Sequence, residues 1–298
     1  MDFINSHNIN VFYFTDVENF PSRLCECDDA PILLFGLGTP TFNCPHVVSI
    51  VGTRHATVYG TGFVKDFITE LSNSLEGLMV VSGLAYGIDV EAHRQSLECN
   101  VPTTAVVAHG LSTIYPAAHR NIAAKMVKEG GMILTDYRHD ARIMPANFLA
   151  RNRIVAGMAD CTIVVESAIK GGAMTTAHIA SAYNRDVFAL PGRNTDKYSA
   201  GCNRLIAENS AMLIQQPTDI IEFMGWETTK QNQRDSLFYQ PTPEEQAIID
   251  FLTTNGDGFI NRIAVATGIS IHRLMGLLVD MEFKGLVVNQ PGGLYRLK

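Results

Sequence analysis

Short apolar runs punctuate the first two-thirds of the chain, at Val47–Val51, Met79–Ser82, Thr104–Ala108, Met132–Leu134, Thr162–Glu166, Val187–Leu190 and Met212–Ile214. Runs this short and this continuously apolar suit strands buried on both faces. Between them, segments near 60–75, 89–98, 117–129, 147–158 and 173–184 space their apolar residues as amphipathic helices do. The alternation predicts βαβ units and an α/β fold: a parallel sheet with helices on both faces, binding its ligand at the carboxyl ends of the strands.

The ends of the chain follow other patterns. Residues 1–45 form an N-terminal extension whose run Pro31-Ile32-Leu33-Leu34-Phe35 is expected to add a strand at the sheet edge. The main domain is assigned to residues 46–225. Periodicity fails over 226–242, where Lys230-Gln231-Asn232-Gln233-Arg234 leads to Pro241-Thr242-Pro243, a linker composition. Residues 243–298 then read as three helices (Glu244–Thr254, Ile260–Thr267, Ser270–Lys284) and a hairpin around Pro291-Gly292-Gly293, the pattern of a winged helix.

Composition narrows the class. Apolar content of 46% and charged content of 18% describe a globular chain. No apolar run reaches the roughly 18–20 residues of a membrane span. The start, Met1-Asp2-Phe3-Ile4-Asn5, has no export signal, so the expected compartment is the cytoplasm. Six scattered cysteines fit a reduced protein without disulfides. The net charge of −7 is concentrated at the front, where residues 1–45 hold six acidic side chains and one basic. A polyanion site must therefore be local to the middle of the chain.

The candidate chemistry falls at strand-to-helix turns. Val51-Gly52-Thr53-Arg54 runs from a strand towards a helix, and its amides and Arg54 suit an anion; a plain surface arginine fits equally well. In Ser82-Gly83-Leu84-Ala85-Tyr86-Gly87-Ile88-Asp89, two glycines allow close backbone approach. Asp89 reads as a helix cap there, and an Asp89–His93 metal pair lacks a third ligand, so no metal is expected. His109-Gly110 and Tyr115-Pro116 make a third turn on the same rim. The densest group is Phe148 with Arg151, Asn152 and Arg153, preceded by Arg138 and Arg142. A ring stacks on a base while guanidinium groups hold phosphates; the plainer reading is a solvated helix start. Lys170, Gly171, Gly172 and Thr175 form a fourth turn, either a phosphate nest or a capped helix entry. Three motifs are absent: the G-x-x-x-x-G-K-[ST] phosphate loop, the G-x-S-x-G elbow and a complete G-x-G-x-x-G.

Taken in order, VGTR (51–54), SGLAYGID-x-x-AH (82–93), HG-x-x-x-x-YP (109–116), F-x-x-RNRIVAG (148–157), VVE (164–166), GGAMTTA (171–177) and FALPG (188–192) resemble the DprA/Smf family, DNA-processing proteins of natural transformation. The resemblance covers roughly residues 10–215 and, more weakly, the last 55. It implies an extended Rossmann-like domain that binds single-stranded DNA, a homodimer, delivery of DNA to the RecA recombinase with single-strand-binding protein as a further partner, and neither cofactor nor catalysis. Family members often carry an N-terminal SAM-like domain, and this chain begins near where that domain would end. The contacts carried over are Arg54, Phe148, Arg151, Asn152 and Arg153, with backbone near Gly83, Gly110 and Gly171-Gly172. Arg142, Lys170 and Thr175 join them as candidates. Two departures stand out: Thr135-Asp136 in place of Ser-Glu, and Gly171 where the family often has a serine hydroxyl.

Two alternatives remain open at this level. A Rossmann-like nucleotide phosphoribohydrolase or nucleotide sensor shares the Gly-Gly turn, but His178 stands where the hydrolase has a glutamate. DNA binding through helix 270–284 is the other, although Asp280 and Glu282 offset His272, Arg273 and Lys284, which suits a protein contact better.

Overall fold

The computed structural model describes residues 2–229, 241–284, 286–290 and 293–297. The chain divides into two compact units, Met1–Asn232 and Gln233–Lys298.

The first unit is built on nine strands: β1 (Asn10–Tyr13), β2 (Leu33–Gly38), β3 (His46–Val51), β4 (Leu78–Ser82), β5 (Thr103–Val106), β6 (Met132–Thr135), β7 (Cys161–Val164), β8 (Asp186–Ala189) and β9 (Met212–Leu213). Their order is β1-β2-β6-β5-β4-β3-β7-β8-β9. From β6 to β9 every pairing is parallel, whereas β1–β2 and β2–β6 are antiparallel. The run at Pro31–Phe35 thus becomes β2 on the flank of β6, and β1, which periodicity missed, extends the edge by one more strand.

Within a strand the side chains alternate between two cores. Val47, Val51, Met79 and Val81 enter one, with Phe20, Leu24, Ile154 and Ala177. Val48, Ile50, Leu78 and Val80 enter the other, with Phe67, Ile68 and Leu71. Both faces are covered, which is why these strands read as unbroken apolar runs.

The helices are α1 (Asp2–Ser6), α2 (Ser22–Cys25), α3 (Val58–Ser74), α4 (Ile88–Glu98), α5 (Arg120–Lys128), α6 (Pro145–Gly157), α7 (Gly172–Ala182), α8 (Ala200–Ala207) and α9 (Pro217–Met224). Three of the starts have a clear local cause. Thr57 caps α3 by accepting from the Gly60 amide at 3.3 Å. Pro145 opens α6, where its missing N–H costs nothing. Gly87 enters α4 at φ 78°, a conformation that suits glycine. A side chain there would also strike the carbonyl oxygen of Thr53, so Gly87 holds two loops in contact. At the far end of α6, Gly157 leaves room for Leu24 and Cys27, which seats the N-terminal extension against that helix.

The sheet order reverses at β3, with β4 on one side and β7 on the other. That switch point opens a crevice beyond the carboxyl ends of β3 and β7, the usual ligand position in such sheets.

The second unit packs three helices, Pro243–Asn255, Ile260–Thr267 and Ile271–Phe283, on an antiparallel sheet of Gly258–Phe259, Val287–Gln290 and Leu294–Leu297. Its core is Ile248, Leu252, Ile263, Leu274, Leu278 and Met281. Thr242 and Glu245 close a reciprocal capping box on the first helix. Lys230–Arg234 of the predicted linker, and part of the predicted Pro291–Gly293 turn, lie outside the described residues. Among the described residues no single helix is long and apolar enough to cross a membrane.

Candidate nucleic-acid interface

Four loops, helix α6 and the start of α7 meet at the switch point around a cavity of about 290 Å³. The β3–α3 loop supplies Gly52, Thr53, Arg54 and His55. The β4–α4 loop supplies Gly83 and Ala85, and α6 supplies Phe148, Leu149, Arg151 and Asn152. Ser167, Ala168 and Gly171 from the β7–α7 loop, Gly172, Ala173 and Thr176 from α7, and Tyr198 close the far side.

Arg54 is exposed, and its guanidinium carbon lies 5.5 Å from the centre of the Phe148 ring. Among the described residues no carboxylate lies within ion-pair distance of it. Phe148 also meets Tyr115 edge-on, with ring centres 5.8 Å apart. Opposite, α7 begins without a side-chain cap, so the first amides of the helix, at Gly172 and Ala173, have no partner within it. The Asn152 side chain donates to the Gly172 carbonyl at 3.4 Å and ties α6 to this helix start. Gly172 has open space beside its Cα, and Gly171 is packed against the Ser167 hydroxyl. Cation, ring and free amides therefore face one crevice.

The two arginines of the central motif do different things. Arg151 is only 5% exposed. Its guanidinium donates to the carbonyl of Gly83 at 2.7 Å and to that of Val106, and a side chain on Gly83 would collide with it. The buried Asp89 carboxylate lies in its field and accepts from the Ala85 amide at 3.4 Å. Burial pushes the Asp89 carboxyl upward, and Arg151 and the loop amides pull it back. Arg151 thus lines the cavity from beneath and locks the loops after β4 and β5. Asp89 lies one residue inside α4, whose cap position is Gly87, and it organises loops where a cap was expected. Arg153 points elsewhere: it pairs with Asp136 at 2.7 Å, donates to the Asp29 carbonyl, and takes no part in the cavity wall.

The remaining candidates divide in the same way. Arg142 and Lys170 are exposed, and neither side chain has a hydrogen-bond or ion-pair partner among the described residues. Both stand outside the cavity wall. Gly110 is also outside it; a side chain there would run into the carbonyls of Arg138 and His139, so this glycine admits the 138–139 loop. Thr175 is half-buried off the cavity, and Thr176 lines it instead. His55 and Tyr198, which stack at 5.9 Å, were not anticipated, and neither residue type signals a crevice on its own.

The expected anion site at the start of α3 is already filled. The Glu166 carboxylate accepts from the Thr57 amide at 2.9 Å and from its hydroxyl at 2.7 Å. It packs where any side chain at Gly60 would sit. His93 is buried and bonded through Nδ1 to the Thr103 hydroxyl at 2.7 Å, and burial holds its pKa down to about 3. No group of three metal-ligating side chains occurs among the described residues.

Fold and crevice together define a doubly wound α/β protein with an open mixed cationic and aromatic cleft at its switch point. The profile of the DNA recombination-mediator protein A family matches residues 11–225, and the chain belongs to that family. It is 34% identical to the putative DNA processing protein DprA of Mycobacterium tuberculosis over 95% of this chain and 73% of that protein. It is 31% identical to protein Smf of Escherichia coli over 95% of this chain and 76% of that protein. Among solved structures, DprA from Streptococcus pneumoniae superposes with a TM-score of 0.67 at 33% identity, over 74% of this chain and 77% of that one. DprA from Helicobacter pylori, described in terms of its single-stranded DNA binding mode, gives 0.63 at 28% identity over 72% and 95%.

Proposed function

We propose that the cleft at the switch point binds single-stranded DNA, and that the chain, as a homodimer, protects incoming DNA and passes it to the RecA recombinase during transformation. One observation carries this reading above the rest: Arg54, exposed and without a carboxylate partner among the described residues, lies over the Phe148 ring across the cavity from the uncapped start of α7. Phosphate is held by Arg54 and the Gly172–Ala173 amides, while Phe148 stacks a base; Arg142 and Lys170 extend the cationic path. Rings and phosphates occur in every sequence, so selectivity among sequences is weak. Kinship with a protein whose structure was described for its single-stranded DNA binding supports the same reading.

Fluorescence anisotropy with labelled oligo-dT and a matched duplex tests it. Three exposed cations predict a log–log salt slope of roughly −2 for the single strand. Equal or tighter binding to the duplex counts against the proposal. The hydrolase alternative gains nothing from the geometry, because the two buried carboxylates nearest the cleft, Asp89 and Glu166, are both engaged by loop backbone. Release of free base from AMP or CMP would revive it. Residues 243–298 are proposed as a winged helix that contacts protein, and their deletion is expected to leave most oligo-dT affinity intact.

A further inference from the structure

Arg54 and His55 are neighbours in the chain, and their side chains part to opposite walls of the cleft. Arg54 lies over Phe148, whose ring meets Tyr115 of the loop after β5. The exposed His55 stacks instead on Tyr198, with ring centres 5.9 Å apart and planes within 21° of parallel. Tyr198 belongs to the loop after β8, and β8 lies on the other side of β3 from β5 in the sheet order. His55 and Tyr198 both line the cavity. A second pair of rings therefore faces the space that Phe148 faces.

The loop after β8 is held by groups other than the Tyr198 ring. At its start the Tyr59 hydroxyl donates to the Pro191 carbonyl at 2.7 Å. The Asn203 side chain accepts from the Gly192 amide at 3.1 Å and donates to the Gly192 carbonyl at 2.9 Å. At its end the Tyr198 carbonyl accepts from the Ser167 amide at 2.6 Å. The main chain is thus pinned at both ends, and the Tyr198 ring stays half-buried at the edge of the cavity. Two cations stand beside it. The Lys197 ammonium lies 5.4 Å from the centre of the Tyr198 ring, and Arg193 is exposed on the same loop. Among the described residues no carboxylate lies within ion-pair distance of either, and Asp196 is the one acid in the loop. Rings beside unpaired cations suit a nucleotide, with the base on the rings and the phosphate on the charges.

We propose that His55, Tyr198, Lys197 and Arg193 form a second nucleotide subsite on the wall opposite Phe148. A single strand then crosses the cleft with one base against Phe148 and another against the His55–Tyr198 pair, its backbone passing between them over Arg54 and the Gly172–Ala173 amides. The inference rests on the single-strand reading of the cleft and adds to it a direction of travel, from the β5 side of the switch point to the β8 side. It also gives a reason for strand selectivity. Bases in a duplex are paired inward and must be extruded before they can stack on a protein ring, so a duplex does not engage both walls.

The test uses the full chain and labelled oligo-dT. Tyr198→Ala is expected to weaken binding about tenfold, the loss of one stacked base. Tyr198→Trp reports the contact directly: the introduced indole is expected to be quenched as oligo-dT is added. The one native tryptophan, Trp226, packs on His46 at the opposite end of β3, so the unsubstituted chain sets the background. Two further neutralised phosphates steepen the salt slope of the unsubstituted chain from roughly −2 to roughly −3.5, and Arg193→Gln with Lys197→Gln returns it to roughly −2. Indole emission unchanged by oligo-dT overturns the proposal, as does a double variant with the slope of the unsubstituted chain. If Arg54→Ala abolishes binding in the same series, the cleft reading survives that failure. An unsubstituted chain that binds the duplex as tightly as the single strand overturns the cleft reading, and this subsite with it.

Discussion

Arg54 and Arg151 line one cleft, yet replacing them should produce opposite phenotypes. In Arg151→Ala the carbonyls of Gly83 and Val106 lose their donor, and the buried Asp89 carboxylate loses the cation that offsets its burial. Removing one partner of a buried charge arrangement costs about 3–5 kcal/mol. At about 2–4 °C per kcal/mol for a unit of this size, the melting temperature should fall by about 10 °C. Arg54→Ala removes an exposed side chain that has no carboxylate partner among the described residues, so stability should change by no more than about 0.5 kcal/mol. Affinity for oligo-dT should nevertheless drop, and the salt slope should flatten by about 0.7. Urea unfolding followed by circular dichroism, run beside anisotropy titrations on the same samples, separates the two. Arg151→Ala with a wild-type unfolding midpoint would refute the structural role given to this arginine. Arg54→Ala with wild-type affinity would remove the main support for the cleft as a DNA site.

Three further outcomes are expected. Phe148→Ala should weaken oligo-dT binding by about 1–3 kcal/mol in anisotropy titrations while Phe148→Trp retains it, because stacking needs a ring more than a particular ring. Gly87→Ala should both destabilise the unit and lower affinity, since it strains a position at φ 78° and presses on the Thr53 carbonyl next to Arg54; an unchanged melting temperature would contradict this. His93 should contribute to acid sensitivity. Its folded pKa of about 3 lies below the usual unfolded value near 6.5, so over that interval the unfolded chain takes up a proton that the folded chain refuses. Its stabilising contribution is complete above about pH 6.5 and is lost as pH falls, by about 2 kcal/mol between pH 7 and pH 5. His93→Gln should flatten the urea-midpoint profile over that range, and identical acid limbs would count against the assignment.

The parallel strands were legible in sequence because a sheet covered on both faces leaves an unbroken apolar signature. The placement of the motifs followed, since ligands of such sheets gather where strands give way to helices. The signal failed where it was short or weak. β1 has four residues, of which only Phe12 is buried, and α8 and α9 are two-turn helices whose periodicity is easily missed. Thr175 was chosen and Thr176 lines the cavity. One residue turns a helix by about 100°, and the spacing from Ala173 to Thr176 could have placed the latter on the cavity side.

The arginines mark a deeper limit. Arg151 and Arg153 flank Asn152 in one short motif, and local sequence gives them the same standing as Arg54. Their roles depend on residues far along the chain: Gly83 and Val106 for Arg151, Asp29 and Asp136 for Arg153. A cation is free to meet a phosphate only if the fold has not already given it an oxygen, and that is a property of tertiary contacts. The same reasoning accounts for the start of α3, an amide-rich turn that reads as an anion site until Glu166, more than a hundred residues away, is seen to occupy it. On the proposed reading, the carboxylates at or near the cleft must be neutralised or engaged by the fold. Glu166 is held by the amide and hydroxyl of Thr57, Asp89 by loop amides and the buried Arg151, and Asp136 by the half-buried Arg153, which leaves Arg54 and the start of α7 as the unfilled part of the rim among the described residues.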